Sequence, residues 1–251
     1  MTGRPANTID EVVERLSEIV EWSRAANSRL GYFAALYSKV TVTVGEGIAD
    51  GFFDDGDRME RLDVIFANRY LEAFEAHRGG KPTTGPWAYA FRVADQRWPI
   101  VLQHLLLGMN AHINLDLGIA AARTVPPEEL PDLRGDFDKI NEVLASLVGG
   151  VQEELAQVWM VLRLMNRYLG GAEDAIINFS MEKARDHAWS VATRLALLTE
   201  ADQARAIDEL DSKIVALAHL IRHPGIVGGT VTKVIRIGER GSIPRIIDIL
   251  R

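Results

Sequence analysis

The sequence predicts an all-α fold: a single domain of about eight helices around one buried central helix, closed by a short amphipathic helix at the C-terminus. Three observations predict it. Apolar residues recur at three- and four-residue intervals through most of the chain, the period of a helix with one face inward. Helix starts are marked by capping residues: Thr8 ahead of Glu11, Thr199 ahead of Asp202, and Ser242 before the final IPRIIDILR. Gly/Pro-rich stretches separate the periodic segments at residues 78–86 (RGGKPTTGP) and 125–133 (VPPEELPDL).

The first helix is IDEVVERLSEIVEWSRAA, behind the Thr8 cap. Residues 30–53 contain VTVTV, which alone suits a strand, but the surrounding FAALYSKVTVTVGEGIADGFF carries one apolar helical face and is read as helix. FFDDGD (52–57) is a turn, followed by a helix over 58–77 and, past the 78–86 loop, a short helix beginning near Trp87. The central helix spans about 98–123. A long helical tract over 136–169 follows, with Gly149 and Gly150 expected to bend or break it and Gly170 and Gly171 to end it. Two further helices cover 173–198 and 200–222, and His223-Pro224-Gly225 stops the last of them. The core is thus expected over 8–222. The tail, 223–251, is expected to pack back or to pair two copies in a homodimer.

Composition narrows the function. With 251 residues, 47% of them hydrophobic, and 28 Lys+Arg against 35 Asp+Glu for a net charge of −7, the chain lacks the basic stripe that a nucleic acid requires. It contains no cysteine, which excludes thiolate nucleophiles, disulfides and Cys-ligated metals. The N-terminus has acidic residues where a signal peptide needs an apolar run, and no window is apolar enough without polar interruption to be read as a membrane span. A cytoplasmic location is the expectation.

The candidate site lies on the central helix, WPIVLQHLLLGMNAHINLDLGIAAARTVP, which carries Gln103, His104, Asn110, His112, Asn114 and Asp116 among apolar residues. Polar groups buried without partners cost a few kcal/mol each, about 2–7, so these must meet partners, a metal ion or a cavity. His112 and Asp116 form H-x-x-x-D. Four residues advance a helix by about 400° and roughly 6 Å, which puts both on one face. That spacing suits two ligands of one divalent ion, zinc first with manganese or iron as alternatives, or a carboxylate orienting a general base. His104, about 12 Å along the axis, is read as a third site residue or as a core histidine bonded to a carbonyl. Gly108 between them is expected to let another helix approach closely.

A metal needs ligands from elsewhere. Asp63, set among Leu62, Val64, Ile65 and Phe66, is one candidate, against the alternative of a carboxylate complementing a helix dipole. Asp186 in SMEKARDHAW is another, against a salt bridge to Arg185 or Arg69; Glu182 is its i−4 neighbour. Asn68, Arg69, Tyr70, Trp87 and Asn114 are candidate substrate or supporting groups, and Asp136 is read as an N-cap. HLIRH (219–223) lacks the glutamate of a zinc protease helix, and GGKPTTGP lacks the G-K-[ST] of a P-loop. Three functions stay open: a metal-dependent hydrolase with a phosphoester-like substrate, an iron-dependent oxidase or oxygenase, and a non-catalytic binding or scaffold protein with a structural polar core and a small-molecule ligand. No E-x-x-H pair, the usual mark of helical di-iron sites, is present.

The runs LLLGMNAHINLDLGIA, RLDVIFANRYLEA and ARDHAW resemble a bacterial family described only as a domain of unknown function, DUF5995, over most of residues 30–200. The resemblance implies the helical fold and points at Asp63, Asn68, Arg69, Tyr70, Trp87, His104, His112, Asn114, Asp116 and Asp186, without implying an activity. The buried H-x-x-x-D is also similar, more distantly, to the zinc-dependent phospholipase C and P1 nuclease group. Those enzymes use a processed N-terminal tryptophan and a second H-x-x-x-[DE], neither of which stands here.

Overall fold

The computed structural model describes residues 4–158, 172–223 and 241–251, with residues 233, 236 and 239; the side chains of residues 145, 146 and 148–182 are not among those described. The regular elements among the described residues are all helices, with no strand.

Helix α1 (Ile9–Ala25) starts on Thr8, whose hydroxyl accepts from the Glu11 N–H at 3.2 Å. The carboxylate of Glu11 turns to the Asn7 N–H at 2.7 Å instead of closing the reciprocal arm of a capping box. Helix α2 (Leu30–Ala49) contains VTVTV, so its β-branched run yields to the apolar face around it; the Thr43 hydroxyl donates back to the Lys39 carbonyl at 3.1 Å, as such residues do within helices. Helices α3 (Gly56–Arg78) and α4 (Gly85–Ala94) follow the predicted turn and loop. After the central helix come α7 (Leu130–Val158), α8 (Ala172–Ala196), α9 (Glu200–Arg222) and the C-terminal α10 (Ile243–Leu250). The caps at Thr199 and Ser242 form as predicted, accepting from Asp202 N and Arg245 N. Helix α7 begins at Leu130 and runs on through Gly149 and Gly150, so no break occurs there. The expected continuation to 169 and the stop at Gly170 and Gly171 lie outside the described residues.

The tail helix α10 turns Ile246, Ile247 and Leu250 inward, and Arg24–Asp248 and Arg251–Glu21 pairs clip it to α1. The apolar face of α10 itself is therefore buried against the chain's own first helices.

The central helix is the one described helix long and apolar enough to cross a membrane, and 72% of that apolar stretch is buried inside the fold. It is also where the winding departs from prediction. Residues Val101–Met109 (α5) and Gly118–Thr124 (α6) are α-helical, but Asn110–Leu117 between them is π-helix. A π segment is looser than the assumed 3.6 residues per turn and recurs at functional sites. The predicted stacking of His112 over Asp116 is altered by it.

Close crossings enclose this helix. At Gly108 an added Cβ would stand 2.5 Å from the Phe33 ring of α2, which bears out the expected close approach. At Gly118 it would stand 2.7 Å from the Ala188 carbonyl oxygen of α8. A backbone oxygen cannot swing aside, so Gly118→Ala is expected to lower stability by about 1–3 kcal/mol. The urea midpoint of the variant checks this, and an unchanged midpoint would mean that the α6–α8 crossing relaxes freely.

Candidate functional site

The π segment presents His112 and Asp116 to α2, α3 and α4. Asp116 is fully buried and both of its oxygens are engaged. Arg69 Nε of α3 donates to Oδ1 at 2.6 Å, and Trp87 Nε1 of α4 donates to Oδ2 at 2.7 Å. These are charge-assisted bonds to an ionised acceptor, the stronger kind. His112 Nδ1 lies 3.7 Å from Asp116 Oδ2, beyond hydrogen-bond reach.

His112 is held by rings. Phe66 stacks on it at 3.5 Å between centroids with 8° between planes, and Tyr37 meets it edge-on at 4.4 Å. Phe33, Tyr70 and Trp87 complete the aromatic box. Neither imidazole nitrogen has a hydrogen-bond partner. Burial pushes the His112 pKa down; the adjacent Asp116 works against that shift, and Arg69 reinforces it.

Beside the box lie more buried groups without partners: the hydroxyls of Tyr37, Thr41 and Tyr70, and Oδ2 of Asp63. Asp63 belongs to the middle of α3, too far along for a helix-dipole role. Burial, with Glu60 adding to it, pushes its pKa up to about 7. Burial also raises the phenols of Tyr37 and Tyr70, and Asp63 adds to the effect at Tyr37. Buried polar atoms are normally satisfied, and a cluster of exceptions in one place calls for a water, an ion or a ligand.

The remaining predicted residues are distributed elsewhere. His104 packs edge-on against Tyr32 at 5.8 Å and keeps an unpartnered Nε2. Burial, with the Arg29, Arg236 and Arg222 guanidiniums, pushes it down to about 3. It borders a cavity of about 20 Å³ together with Tyr70, Trp87 and Gly108. That is room for one water molecule.

Asn68 pins the N-terminal segment, exchanging 2.8 Å bonds with the Ala6 N–H and carbonyl. Asn114 donates to Asn110 Oδ1 at 2.9 Å, and Asn110 in turn donates to the Ile214 carbonyl at 3.1 Å. Gln103 Nε2 donates to the Ile221 and Arg222 carbonyls at the end of α9.

Asp186, the even choice between ligand and salt bridge, faces solvent with 64% of its side chain exposed, 3.4 Å from Arg134. The partner is neither Arg185 nor Arg69: Arg185 is buried over the Phe137 ring and donates to the Phe137 carbonyl. Glu182 lies outside the described side chains. Asp136 is not an N-cap: from inside α7 it accepts from the Asp54 and Asp55 N–H groups at 2.7 and 3.0 Å and from Arg58, pinning the turn ahead of α3, whose own cap is Asp55.

Of the predicted set, the fold therefore gathers Asp63, Arg69, Tyr70, Trp87, His112 and Asp116, and leaves Asn68, His104 and Asp186 at other places. Among the described residues no group of three or more His, Asp or Glu side chains is placed to hold a metal ion. Tyr37, Thr41, Phe33 and Phe66 were not singled out from the sequence. Helical spacing carries the signal, since Phe33, Tyr37 and Thr41 succeed one another at i+4, and Asp63, Phe66 and Tyr70 at i+3 and i+4.

The model for the family of unknown function DUF5995 matches residues 9–224, which takes in all of this cluster. The chain belongs to the DUF5995 family. No curated protein and no solved structure matches it. The DUF5995 match spans α1 to α9 and stops short of α10, so the polar core falls within the family's extent and the tail helix outside it.

Proposed function

We propose that this DUF5995 protein is a non-catalytic helical binding protein for a small molecule, with His112 and Asp116 in a structural polar core. The observation that carries this reading is the double claim on Asp116, by Arg69 at 2.6 Å and Trp87 at 2.7 Å. A carboxylate so engaged has little left for a cation, and the guanidinium beside it repels one. His112 is stacked on Phe66 and met edge-on by Tyr37, the ring packing of a core side chain.

A second reading has its own support in the open nitrogens of His112 and the open oxygen of Asp63. There a divalent ion, zinc first and manganese or iron after it, binds between them and serves hydrolysis by lowering the pKa of a bound water. His112 and Asp63 are the residues that would hold it, with Tyr37 and Tyr70 as neighbours. Iron-dependent oxidation has less behind it, because the sequence has no E-x-x-H pair.

Elemental analysis of tag-free protein separates the two. Metal-free, folded protein whose melting temperature does not move with added zinc, manganese or iron is the expected result. Near-stoichiometric metal that is lost in His112→Ala would overturn the structural reading in favour of the metal site.

A further inference from the structure

A second cavity, of about 230 Å³, opens beyond His104 where α2, α5 and α10 begin; Asn27, Arg29, Tyr32, Arg236 and Glu239 line it. Its charge is unusual for a protein of net −7. Arg29 donates to the Ala94 carbonyl at 3.2 Å, and Arg222, just behind, donates to Gln96 Oε1 at 3.0 and 3.2 Å. Neither guanidinium has a carboxylate partner among the described residues. Arg236 does, through Glu239 at 2.7 Å. Arg236 Nε also donates to the Arg97 carbonyl at 2.8 Å. The lining thus sets two guanidiniums against one carboxylate, and with Arg222 three guanidiniums act on His104.

Glu239 shows which chemistry the place accepts. Its other oxygen takes the Val101 N–H at 2.8 Å, so a carboxylate already occupies the amino end of α5. Tyr32 is the other pointer: it is 2% exposed and lines the cavity, yet its hydroxyl makes no hydrogen bond among the described residues.

We infer that this cavity is a binding site for a small dianion of the phosphate class, inorganic phosphate or a compact phosphomonoester, held by Arg29, Arg236 and the Tyr32 hydroxyl. The remaining N–H groups of Arg29 and Arg236, with a hydroxyl, match the several acceptor oxygens of a phosphoryl group. The net positive lining suits an anion. The volume lies below the roughly 300 Å³ at which drug-sized sites begin, which favours a compact ligand. This site is separate from the polar core around Asp116 and stands whichever reading of that core holds.

Calorimetric titration of the full chain with inorganic phosphate at low ionic strength, against a chloride-matched blank, tests it. Saturable one-to-one binding is expected, weakened at least about tenfold by Arg29→Gln, the loss of one charge-assisted bond. Tyr32→Phe, which removes a hydroxyl without a partner among the described residues and so leaves the fold intact, is expected to weaken it several-fold. Parallel titration with glycerol phosphate tells the two sources apart, since tighter binding of the ester assigns the site to phosphomonoesters. Heat no greater than the chloride blank, or phosphate binding unchanged in Tyr32→Phe and Arg29→Gln, would overturn the inference.

Discussion

Asp116→Ala is expected to destabilise the protein by about 3–5 kcal/mol, the usual consequence of removing one partner from a buried ion pair. Two donors lose their acceptor at once. The Trp87 indole N–H is fully enclosed and cannot reach water, so it alone forfeits about 1–3 kcal/mol. Arg69, with 19% of its side chain exposed, recovers part of its hydration. Asp116→Asn should cost less, because its carbonyl still accepts one of the two bonds. Replacing both charges together, Asp116→Leu with Arg69→Met, should cost less than Asp116→Ala alone, since no unpaired charge remains. Urea denaturation of the wild type and these three variants measures this, and Asp116→Leu and Arg69→Met made singly complete the cycle that isolates the pair. A cost under about 1 kcal/mol for Asp116→Ala would mean that the pair is not structural, and would favour a carboxylate kept for a ligand.

The legibility of this chain follows the range of the forces involved. Helix existence was readable because caps and apolar period are local: Thr8, Thr199 and Ser242 each begin a helix where the sequence places one. VTVTV was ambiguous for the same reason, and its neighbours decided it. The site was readable only in part. A polar residue on an apolar helix announces that it needs a partner, which picked out His112, Asp116 and Asp63. Which partner it finds depends on the crossing of distant helices. Asp186 shows the limit, since a carboxylate four residues before it gave it the look of a ligand, whereas the orientation of α8 sends it to solvent. Asp136 shows it again: read as an N-cap, it lies inside α7 and holds a turn some eighty positions away in sequence. The π segment had no local mark, because the apolar period that reads as helix does not tell an α turn from a π turn.

Asp63→Asn is expected to stabilise the protein at pH 8 and to do so less, or not at all, at pH 4. The folded-state pKa of Asp63 is raised from 3.8 to about 7 by burial, with Glu60 contributing. Between those values the unfolded chain has released a proton that the folded chain still holds, so stability falls as pH rises through the window and levels off above it. A shift of that span is worth on the order of 4 kcal/mol at its upper bound. The histidines work in the opposite direction. His104, pushed down to about 3, and His112, also pushed down, stay neutral in the fold while the unfolded chain takes up protons, so their contribution is lost as pH falls below the ordinary histidine range. Wild-type stability should accordingly pass through a maximum in mildly acidic solution, with the alkaline slope belonging to Asp63. Subtracting the variant's pH profile from that of the wild type cancels the histidine slope and leaves the carboxyl. A difference that grows from pH 4 to pH 7 and then stays constant is the signature. If it does not vary with pH, Asp63 titrates normally, which places a water, an ion or another charge-stabilising partner against its open oxygen in solution.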